Sequence, residues 1–256
     1  MNNIILTNYN FKIILLLIIS LLTDEAFGKE KVILLKENFN KVIVSPHIET
    51  IFVKGDVASI TIKNINVPVE KFQYEIISNT LQVYLKGAKT ITKNKKNEYK
   101  NFTIKKPIYK STVARIIITY VNVDTFSLRG EEKINFLNDV NQPQCKLRVY
   151  GESEVIIDTI NVGDLRIIIY GDSYLSIKEG IVERQKITAY GSTKIITNNI
   201  KCKEVKLTAY GDGNYQFNVS NKIKITSYGE STITYKGSAK LKKGIIIGDT
   251  KIIRVN

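Results

Sequence analysis

A tyrosine-glycine dipeptide that returns about every 20 residues restricts the fold of this chain more than any other feature of its sequence. Five copies carry the dipeptide, and two degenerate copies extend the series toward both ends of the chain. The glycines of the seven copies lie 18 to 21 residues apart: Gly130, Gly151, Gly171, Gly191, Gly211, Gly229 and Gly248. A near-constant period of this length is typical of repeat architectures, in which one unit buries its apolar face only by stacking on its neighbours.

Each copy contains two stretches in which apolar and polar residues alternate, as they do in a β-strand. In one copy Leu147 and Val149 share a face before the glycine, and Val155 and Ile157 share a face after it. The glycine and the short polar residue after it are turn chemistry, because glycine accepts a positive φ and short polar side chains bond to the local backbone. The repeat therefore predicts a strand, a corner, a second strand and a looser third segment.

Stacking of such units predicts an all-β protein, a right-handed parallel β-helix or solenoid with about 20 residues per coil. Successive coils would lie about 4.8 Å apart, so that equivalent side chains form ladders along the axis. An antiparallel barrel or sandwich of short strands also has frequent turns, but it does not predict the same dipeptide at every second turn. A leucine-rich repeat has a similar length, but its leucine and asparagine ladder is missing here.

The chain divides into three segments. Residues 1–28 are predicted to be a signal peptide, because Lys12 precedes a short apolar run and Ala26 and Gly28 offer the small side chains that a signal peptidase recognises. A buried strand or an uncleaved anchor is the alternative, but the run is only about half as long as a membrane span. Residues 29–125 form a strand-rich N-terminal part and residues 126–256 the repeat solenoid, and we expect 29–256 to be one continuous domain. The mature chain is then exported to the periplasm, the cell surface or the medium, with no transmembrane segment.

Several stretches give the chain a resemblance to a known family. They are Val-Ser-Pro-His-Ile-Glu-Thr-Ile at 44–51, Val-Lys-Gly-Asp-Val at 53–57, Thr-Leu-Gln-Val-Tyr at 80–84, Arg-Ile-Ile-Ile-Thr at 115–119 and Phe-Ser-Leu-Arg-Gly at 126–130. With the glycine repeats that follow, they resemble the putative auto-transporter adhesin, head GIN domain family of exported, mostly Bacteroidetes-type proteins. The resemblance implies a parallel β-helix, an adhesin-like role and no catalytic residues. The chain departs from the family pattern in its tyrosine before the glycine and in a lysine-dense stretch.

The tyrosines of the repeat and the basic residues before them define the first candidate binding face. Their strand parity is opposite to that of the inward apolar residues, so they are predicted to point outward. The candidates are Tyr150, Tyr170, Tyr190, Tyr210 and Tyr228, with Lys186, Lys206 and Lys224. Aromatic rings bordered by threonines suit sugar rings, and the cations suit anionic ones. The alternative is that the stacked aromatics only stabilise a parallel ladder.

The segment 86–110 is the second candidate, because it holds nine lysines and a single acid, Glu98. It is predicted to be a long hairpin tip or a mobile loop that grips a polyanion, and a solvated loop is the alternative. The polyanion candidates are Lys93, Lys95, Lys96, Lys100, Lys105 and Lys106. Aromatic residues lie between these lysines, but no recognised nucleic-acid fold accompanies them, so we do not expect a nucleic-acid partner. The formal net charge of +14 favours anionic partners, although AT-rich coding sequence also enriches a chain in lysine.

No catalytic, metal or cofactor site is predicted. His47 is the only histidine, and no metal-ligand spacing surrounds it. An acid often follows the repeat glycine, but the calcium-binding solenoid repeat has a nine-residue period. Cys145 and Cys202 fall three coils apart, about 14 Å along the axis, which is beyond the reach of a disulfide. We therefore predict two free thiols.

These features together predict an exported, non-enzymatic, adhesin-like binding or scaffold protein whose partner is a carbohydrate or another anionic envelope polymer. Two alternatives stay open. A polysaccharide-degrading β-helix enzyme requires a cluster of acids in a groove, and fold alone does not establish such an activity. A structural envelope protein without a ligand explains the ladder equally well.

Overall fold

Short strands precede the repeats in the computed structural model, which describes residues 30–99 and 102–255. The predicted signal segment 1–28 lies outside the described residues. The short strands are β1 (Lys31–Leu34), β2 (Lys41–Val44), β3 (Ile48–Lys54), β4 (Ser59–Ile65), β5 (Phe72–Ile77), β6 (Thr80–Leu85), β7 (Asn94–Tyr99), β8 (Phe102–Pro107) and β9 (Ala114–Tyr120). A 3-10 helix at Val69–Lys71 precedes β5.

The repeats form nine further strands, and four of these end at the tyrosine of the dipeptide. They are β10 (Thr125–Gly130), β11 (Lys133–Gly151), β12 (Glu154–Tyr170), β13 (Tyr174–Tyr190), β14 (Thr193–Tyr210), β15 (Gly213–Tyr228), β16 (Ser231–Lys236), β17 (Lys240–Ile247) and β18 (Thr250–Arg254). Strands β11 to β15 each run through most of one coil. The stacked coils form a β-solenoid of about six turns.

Neighbouring coils pair in parallel and in the register that the repeat predicts. Tyr150 lies opposite Tyr170, which lies opposite Tyr190. The inward residues Leu147 and Ile167 pair in the same way. The predicted parallel solenoid with about 20 residues per coil is therefore confirmed, and the antiparallel barrel or sandwich is excluded for the repeats.

The core lies inside the coils, and its residues show where each coil changes direction. In β12 the buried positions fall into three groups, which are Val155 with Ile157, Ile160 with Val162, and Leu165 through Ile169. Two consecutive positions that are not buried interrupt the alternation between one group and the next. Because side chains in a strand alternate strictly between faces, each interruption marks a corner, and each coil has three sides around one apolar interior.

Strands of the N-terminal part continue this parallel stack, although not in chain order. Strand β2 lies between β6 and β10, and β3 lies between β9 and β11, with parallel pairing throughout. Strands β4 and β5 are antiparallel to β9 and β6, respectively. The residues from Val32 onward form one compact unit.

An aromatic cluster packs the N-terminal strands against the first repeat coil. The ring of Phe52 in β3 stacks on Phe136 in β11, with centroids 4.6 Å apart. Phe126 in β10 meets both rings edge to face, at 5.0 and 4.9 Å, and Tyr120 contacts Phe126 at 5.3 Å. These side chains are fully buried, and edge-to-face pairs of this kind add packing energy beyond the area that they bury.

The lysine-dense segment contains an antiparallel hairpin of β7 and β8 that forms its own two-stranded sheet. Lys95 pairs with Lys106, and Lys96 pairs with Lys105, so lysines face lysines across the hairpin. Tyr109, just after the hairpin, is buried, and its hydroxyl donates a hydrogen bond to the carbonyl of Lys86 at 2.8 Å.

The two cysteines are free and buried in different columns of the core. Cys145 aligns with Leu165 of the next coil, whereas Cys202 aligns with Val182 and Val219. Burial raises the pKa of both thiols to about 12. Since the thiolate is the reactive form, both cysteines behave as small apolar core residues.

Candidate binding face

The five repeat tyrosines form a ladder of stacked rings on the outside of the solenoid. Successive ring centroids are 5.3, 4.5, 4.8 and 5.0 Å apart, and the planes of adjacent rings differ by 10° or less. We call this set the tyrosine ladder: Tyr150, Tyr170, Tyr190, Tyr210 and Tyr228. The rings stack because each one occupies the same position of its coil and because the coils lie in register.

Stacking decides which parts of these rings a ligand can reach. The two faces of Tyr170, Tyr190 and Tyr210 are covered by neighbouring rings, so that ring edges and hydroxyls point to solvent. Tyr170 and Tyr210 keep 38% and 37% of their surface exposed. A sugar ring therefore has no free aromatic face within the ladder, although it reaches a row of hydroxyls and electropositive ring edges. At one end, the guanidinium of Arg129 lies 5.9 Å from the centre of the Tyr150 ring.

A column of cations runs parallel to the tyrosine ladder, four residues before it on the same strands. We call it the basic column, and in register order it contains Lys146, Arg166, Lys186, Lys206, Lys224 and Lys242. Beyond Lys146 the same position is held by Thr125 and then by Lys41. Within 30–99 and 102–255, no carboxylate lies within 4 Å of the amino or guanidinium nitrogens of the column.

A second column stands two residues before the basic column and has alternating charges instead. This mixed column contains Gln144, Asp164, Arg184, Glu204, Lys222 and Lys240. Arg184 donates two hydrogen bonds to the carboxylate of Asp164, at 2.6 and 2.7 Å, and this contact holds the pKa of Asp164 below its usual value. The side-chain amide of Asn221 donates to Glu204 at 3.1 Å. Most charges of the mixed column thus face the opposite charge.

Neighbouring cations change the pKa of Lys146, the first member of the basic column. Burial lowers the pKa of Lys146, and the charges of Arg148, Arg166 and Lys41 lower it further, while Asp124 has a weaker opposite effect. Like charges directly opposite one another on neighbouring strands are destabilising. At Lys146, the repulsion from neighbouring cations therefore exceeds the attraction of Asp124.

The two columns line a groove of about 640 Å³. Its lining residues come from successive strands, β10 through β15, so the groove runs along the solenoid axis. Arg166, Lys186 and Lys206 line it together with Asp164 and Glu204 of the mixed column. Of the residues predicted from the sequence, Lys186, Lys206 and Lys224 thus share one groove, and the tyrosine ladder runs alongside it.

The lysines predicted as a polyanion site lie elsewhere, in the lysine-dense segment. Lys93, Lys95, Lys96, Lys105 and Lys106 are exposed, and the last four project from the hairpin β7–β8. Lys100 lies outside the described residues. The structure does not bring these lysines into the groove of the basic column, so the two candidate sites are separate.

A smaller cavity of about 490 Å³ surrounds the single histidine. Nδ1 of His47 lies 2.7 Å from the carbonyl oxygen of Ser111, and a carbonyl only accepts, so Nδ1 carries a proton. Nε2 lies 2.6 Å from the hydroxyl of Thr92. The carboxylate of Glu132 is 3.9 Å from Nδ1, and burial raises its pKa. Glu132 was not predicted from the sequence, although a signal existed, because the other copies have serine, threonine or glycine at this corner position.

Metal-binding groups and membrane-spanning helices are both missing from the described ranges, 30–99 and 102–255. No group of three or more His, Cys, Asp and Glu side chains in these ranges is arranged to hold a metal ion. No helix in the same ranges is long and apolar enough to cross a membrane.

Comparison with known families identifies the chain. The family described as putative auto-transporter adhesin, head GIN domain, matches residues 38–239. The chain belongs to this family. The match covers both the N-terminal strands and the repeats of the head GIN domain, and it supports an adhesin-like role.

Solved structures show the same fold for the head GIN domain. A putative adhesin from Bacteroides fragilis is 19% identical, with a TM-score of 0.70 over 89% of this chain and 98% of that one. A putative adhesin from Parabacteroides merdae is 16% identical, with a TM-score of 0.64 over 91% and 98%. A putative lipid binding protein from Parabacteroides distasonis is 15% identical, with a TM-score of 0.61 over 90% and 98%. Comparison with curated proteins finds no match.

Proposed function

We propose that this chain is an exported, adhesin-like binding protein that acts without catalysis and binds a carbohydrate or another anionic envelope polymer. Its binding surface is the face formed by the tyrosine ladder and the basic column. Membership of a family of putative adhesins and likeness in fold to putative adhesins support this role and a location at the cell surface or outside the cell.

One observation carries the proposal, which is the repetition of the same outward groups on successive coils. Each of the five copies with the dipeptide offers a tyrosine hydroxyl and a cation, and three of them also offer a threonine hydroxyl, at a coil spacing of about 4.8 Å. Thr188, Thr208 and Thr226 stand between the two rows on the same face. A polymer also repeats its chemical groups at a fixed spacing, so a periodic surface binds it through many weak and equivalent contacts.

Glycan-array binding by the purified chain tests the proposal. The first variant combines Tyr190→Phe with Tyr210→Phe, which keeps the ring stacking and removes two hydroxyls from the middle of the ladder. The second combines Tyr190→Ala with Tyr210→Ala, which also removes the stacking. We expect both variants to lose most of the wild-type signal, because both remove hydrogen-bonding groups at the centre of the face.

Tyr74→Ala is the matched control, because Tyr74 is 42% exposed but lies on β5, outside the ladder. It should bind as the wild type does. If both double variants bind like the wild type, the ladder is not part of the binding site and serves only to hold the coils together. If the array shows no glycan binding at all, the proposed function is wrong.

A polysaccharide-degrading enzyme is the second candidate, because Asp164 and Glu204 line the same groove. The hydrogen bonds from Arg184 hold the pKa of Asp164 below its usual value, however, which disfavours a role for Asp164 as a general acid. Measurement of new reducing ends on uronate polymers tests this candidate directly, and their release would favour the enzyme.

A further inference from the structure

The basic column has an energetic cost that the fold does not require. Like charges that face each other across neighbouring strands destabilise a sheet, and the column places six of them in register. The repeats tolerate neutral side chains on the same face, since Thr188, Thr208 and Thr226 occupy the position two residues later. A row of threonines at the column positions would avoid the repulsion.

The mixed column is an internal comparison for this argument. It lies two residues away on the same strands, and it pairs Asp164 with Arg184 and places Glu204 between Arg184 and Lys222. The same fold and the same coil spacing thus permit alternating charges. Uniform positive charge is therefore a property of the basic column in particular, and not a result of the basic composition of the chain.

We propose that the basic column binds a linear acidic polysaccharide that lies along the solenoid axis, with one acidic group of the polymer for each coil. This inference rests on the proposed function and names the ligand class, its direction and the side chains that hold it. The polymer occupies the groove of about 640 Å³, where its charges replace the missing counter-charges of the column.

The geometry favours a polysaccharide over a nucleic acid. Successive cations are about 4.8 Å apart along the axis, which is close to the length of one sugar ring in an extended chain. A polymer with one carboxylate or sulfate on each sugar therefore stays in step with the column. The phosphates of one strand of duplex DNA advance by about 3.4 Å along its axis and fall out of step within a few coils.

The groove also directs the polymer toward the lysines. Asp164 and Glu204 line its other side, but Asp164 is bound by Arg184 and Glu204 accepts a hydrogen bond from Asn221, so that their repulsion of an anion is reduced. The guanidinium of Arg184 is occupied by this contact as well. Among the side chains that the structure describes, the groove cations without an ion pair are five members of the basic column and one member of the mixed column, Lys222.

Binding of polygalacturonate oligomers to the full chain tests the inference, with fully methyl-esterified oligomers of the same length as the uncharged comparison. The test variant combines Lys186→Gln, Lys206→Gln and Lys224→Gln. The control variant combines Lys36→Gln, Lys71→Gln and Lys251→Gln, three exposed lysines outside both candidate sites, and it removes the same charge. We expect the column variant to lose at least about tenfold in affinity at low salt, and the control to change by less than about twofold.

Length and salt sharpen the test. Affinity for the acidic oligomers should rise with length until an oligomer spans the six cations, and it should fall as salt is added. The esterified oligomers should bind weakly at every length. The column variant should also unfold at a higher temperature than the wild type, because the substitutions remove repulsion between neighbouring coils. A higher unfolding temperature would show that the loss of binding is not caused by a loss of folding.

Several results would overturn the inference. Equal affinity of the column variant and the wild type would remove the column from the site. An equal loss of affinity in the control variant would show that the effect depends on net charge alone. Tighter binding of duplex DNA than of polygalacturonate would assign the column to a different class of polymer. If glycan binding persists in the column variant but is lost in the tyrosine variants, the proposed function stands and this inference alone fails.

Discussion

Substitution of the corner glycines provides the sharpest test of the stacking geometry. The glycines of successive coils lie on top of one another, and Gly171 and Gly191 have φ values of +89° and +98°. A Cβ added at Gly191 would lie 3.1 Å from the carbonyl oxygen of Gly171, whereas a Cβ at Gly171 would overlap the carbonyl oxygen of Gly151. Alanine would therefore need a positive φ at both positions, but it would have much less space at Gly171 than at Gly191.

Gly163 completes the comparison. A Cβ there would lie 3.0 Å from the carbonyl oxygen of Pro143, almost as at Gly191, but its φ is not in the positive range. Gly163→Ala thus measures the close contact alone. Gly191→Ala adds the cost of a positive φ, and Gly171→Ala adds a steric overlap with the backbone of the neighbouring coil.

The expected losses of stability follow from the close contact, the positive φ and the steric overlap. An alanine held at positive φ costs about 1–2 kcal/mol, and forcing extra volume into a packed site costs about 1–3 kcal/mol more. We expect a change in stability of less than about 1 kcal/mol for Gly163→Ala, because the loss of chain entropy in the unfolded state offsets the contact. Gly191→Ala should cost about 1–2 kcal/mol, and Gly171→Ala about 2–5 kcal/mol.

Thermal unfolding followed by far-ultraviolet circular dichroism measures these differences. For a chain of this size, each kcal/mol lowers the melting temperature by about 2–4 °C, so Gly171→Ala should lower it by about 4–20 °C. Equal melting temperatures for Gly163→Ala and Gly191→Ala would show that the positive φ carries no cost. A Gly171→Ala variant as stable as Gly191→Ala would show that the glycine backbones do not stack as closely as described.

Two further predictions concern buried titratable groups. Because burial raises the pKa of Cys145 and Cys202 from 9.0 to about 12, the thiolate population of each cysteine falls about a thousandfold. A thiol reagent should therefore label the two cysteines only when the chain unfolds. Rapid labelling of the folded chain at neutral pH would contradict this prediction. Burial also raises the pKa of Glu132, next to His47, above the ordinary value of 4.5. The contribution of Glu132 to the stability of the fold is therefore fully present below pH 4.5, and it is lost as the pH rises through the raised pKa. Glu132→Gln should remove this loss, so the melting temperatures of the variant and the wild type should diverge as the pH rises above 4.5. The same pH dependence of the melting temperature in both proteins would contradict the raised pKa of Glu132.

Several features could be predicted from the repeat, because residues one period apart in the sequence lie at equivalent positions of neighbouring coils in a solenoid. The spacing of Gly151, Gly171 and Gly191 predicted the coil length, and strand parity predicted that Tyr170 and Tyr190 stack on the outside. These predictions needed only the rule that equivalent residues of parallel coils lie opposite one another. The geometry of the ladder agrees with them.

The contacts of His47 could not be predicted from the sequence. His47 and Glu132 are far apart in the chain, and they meet because β3 pairs with β11 across the junction between the N-terminal strands and the repeats. Strands in that junction stack out of chain order, with β2 between β6 and β10. No period in the sequence encodes such pairings, because they depend on long-range contacts and not on local pattern.

The sequence by itself determined the parallel stack, the register of the repeats and the outward direction of the tyrosines and lysines, since these follow from alternation and period alone. Only the tertiary structure decided what those side chains offer to a ligand. It covers the ring faces of Tyr170, Tyr190 and Tyr210 with neighbouring rings. It also pairs Asp164 with Arg184, whereas the adjacent basic column makes no ion pair within residues 30–99 and 102–255. The physical reason is that a period fixes positions along one axis, whereas exposure and charge balance depend on contacts between columns and across corners in all three dimensions.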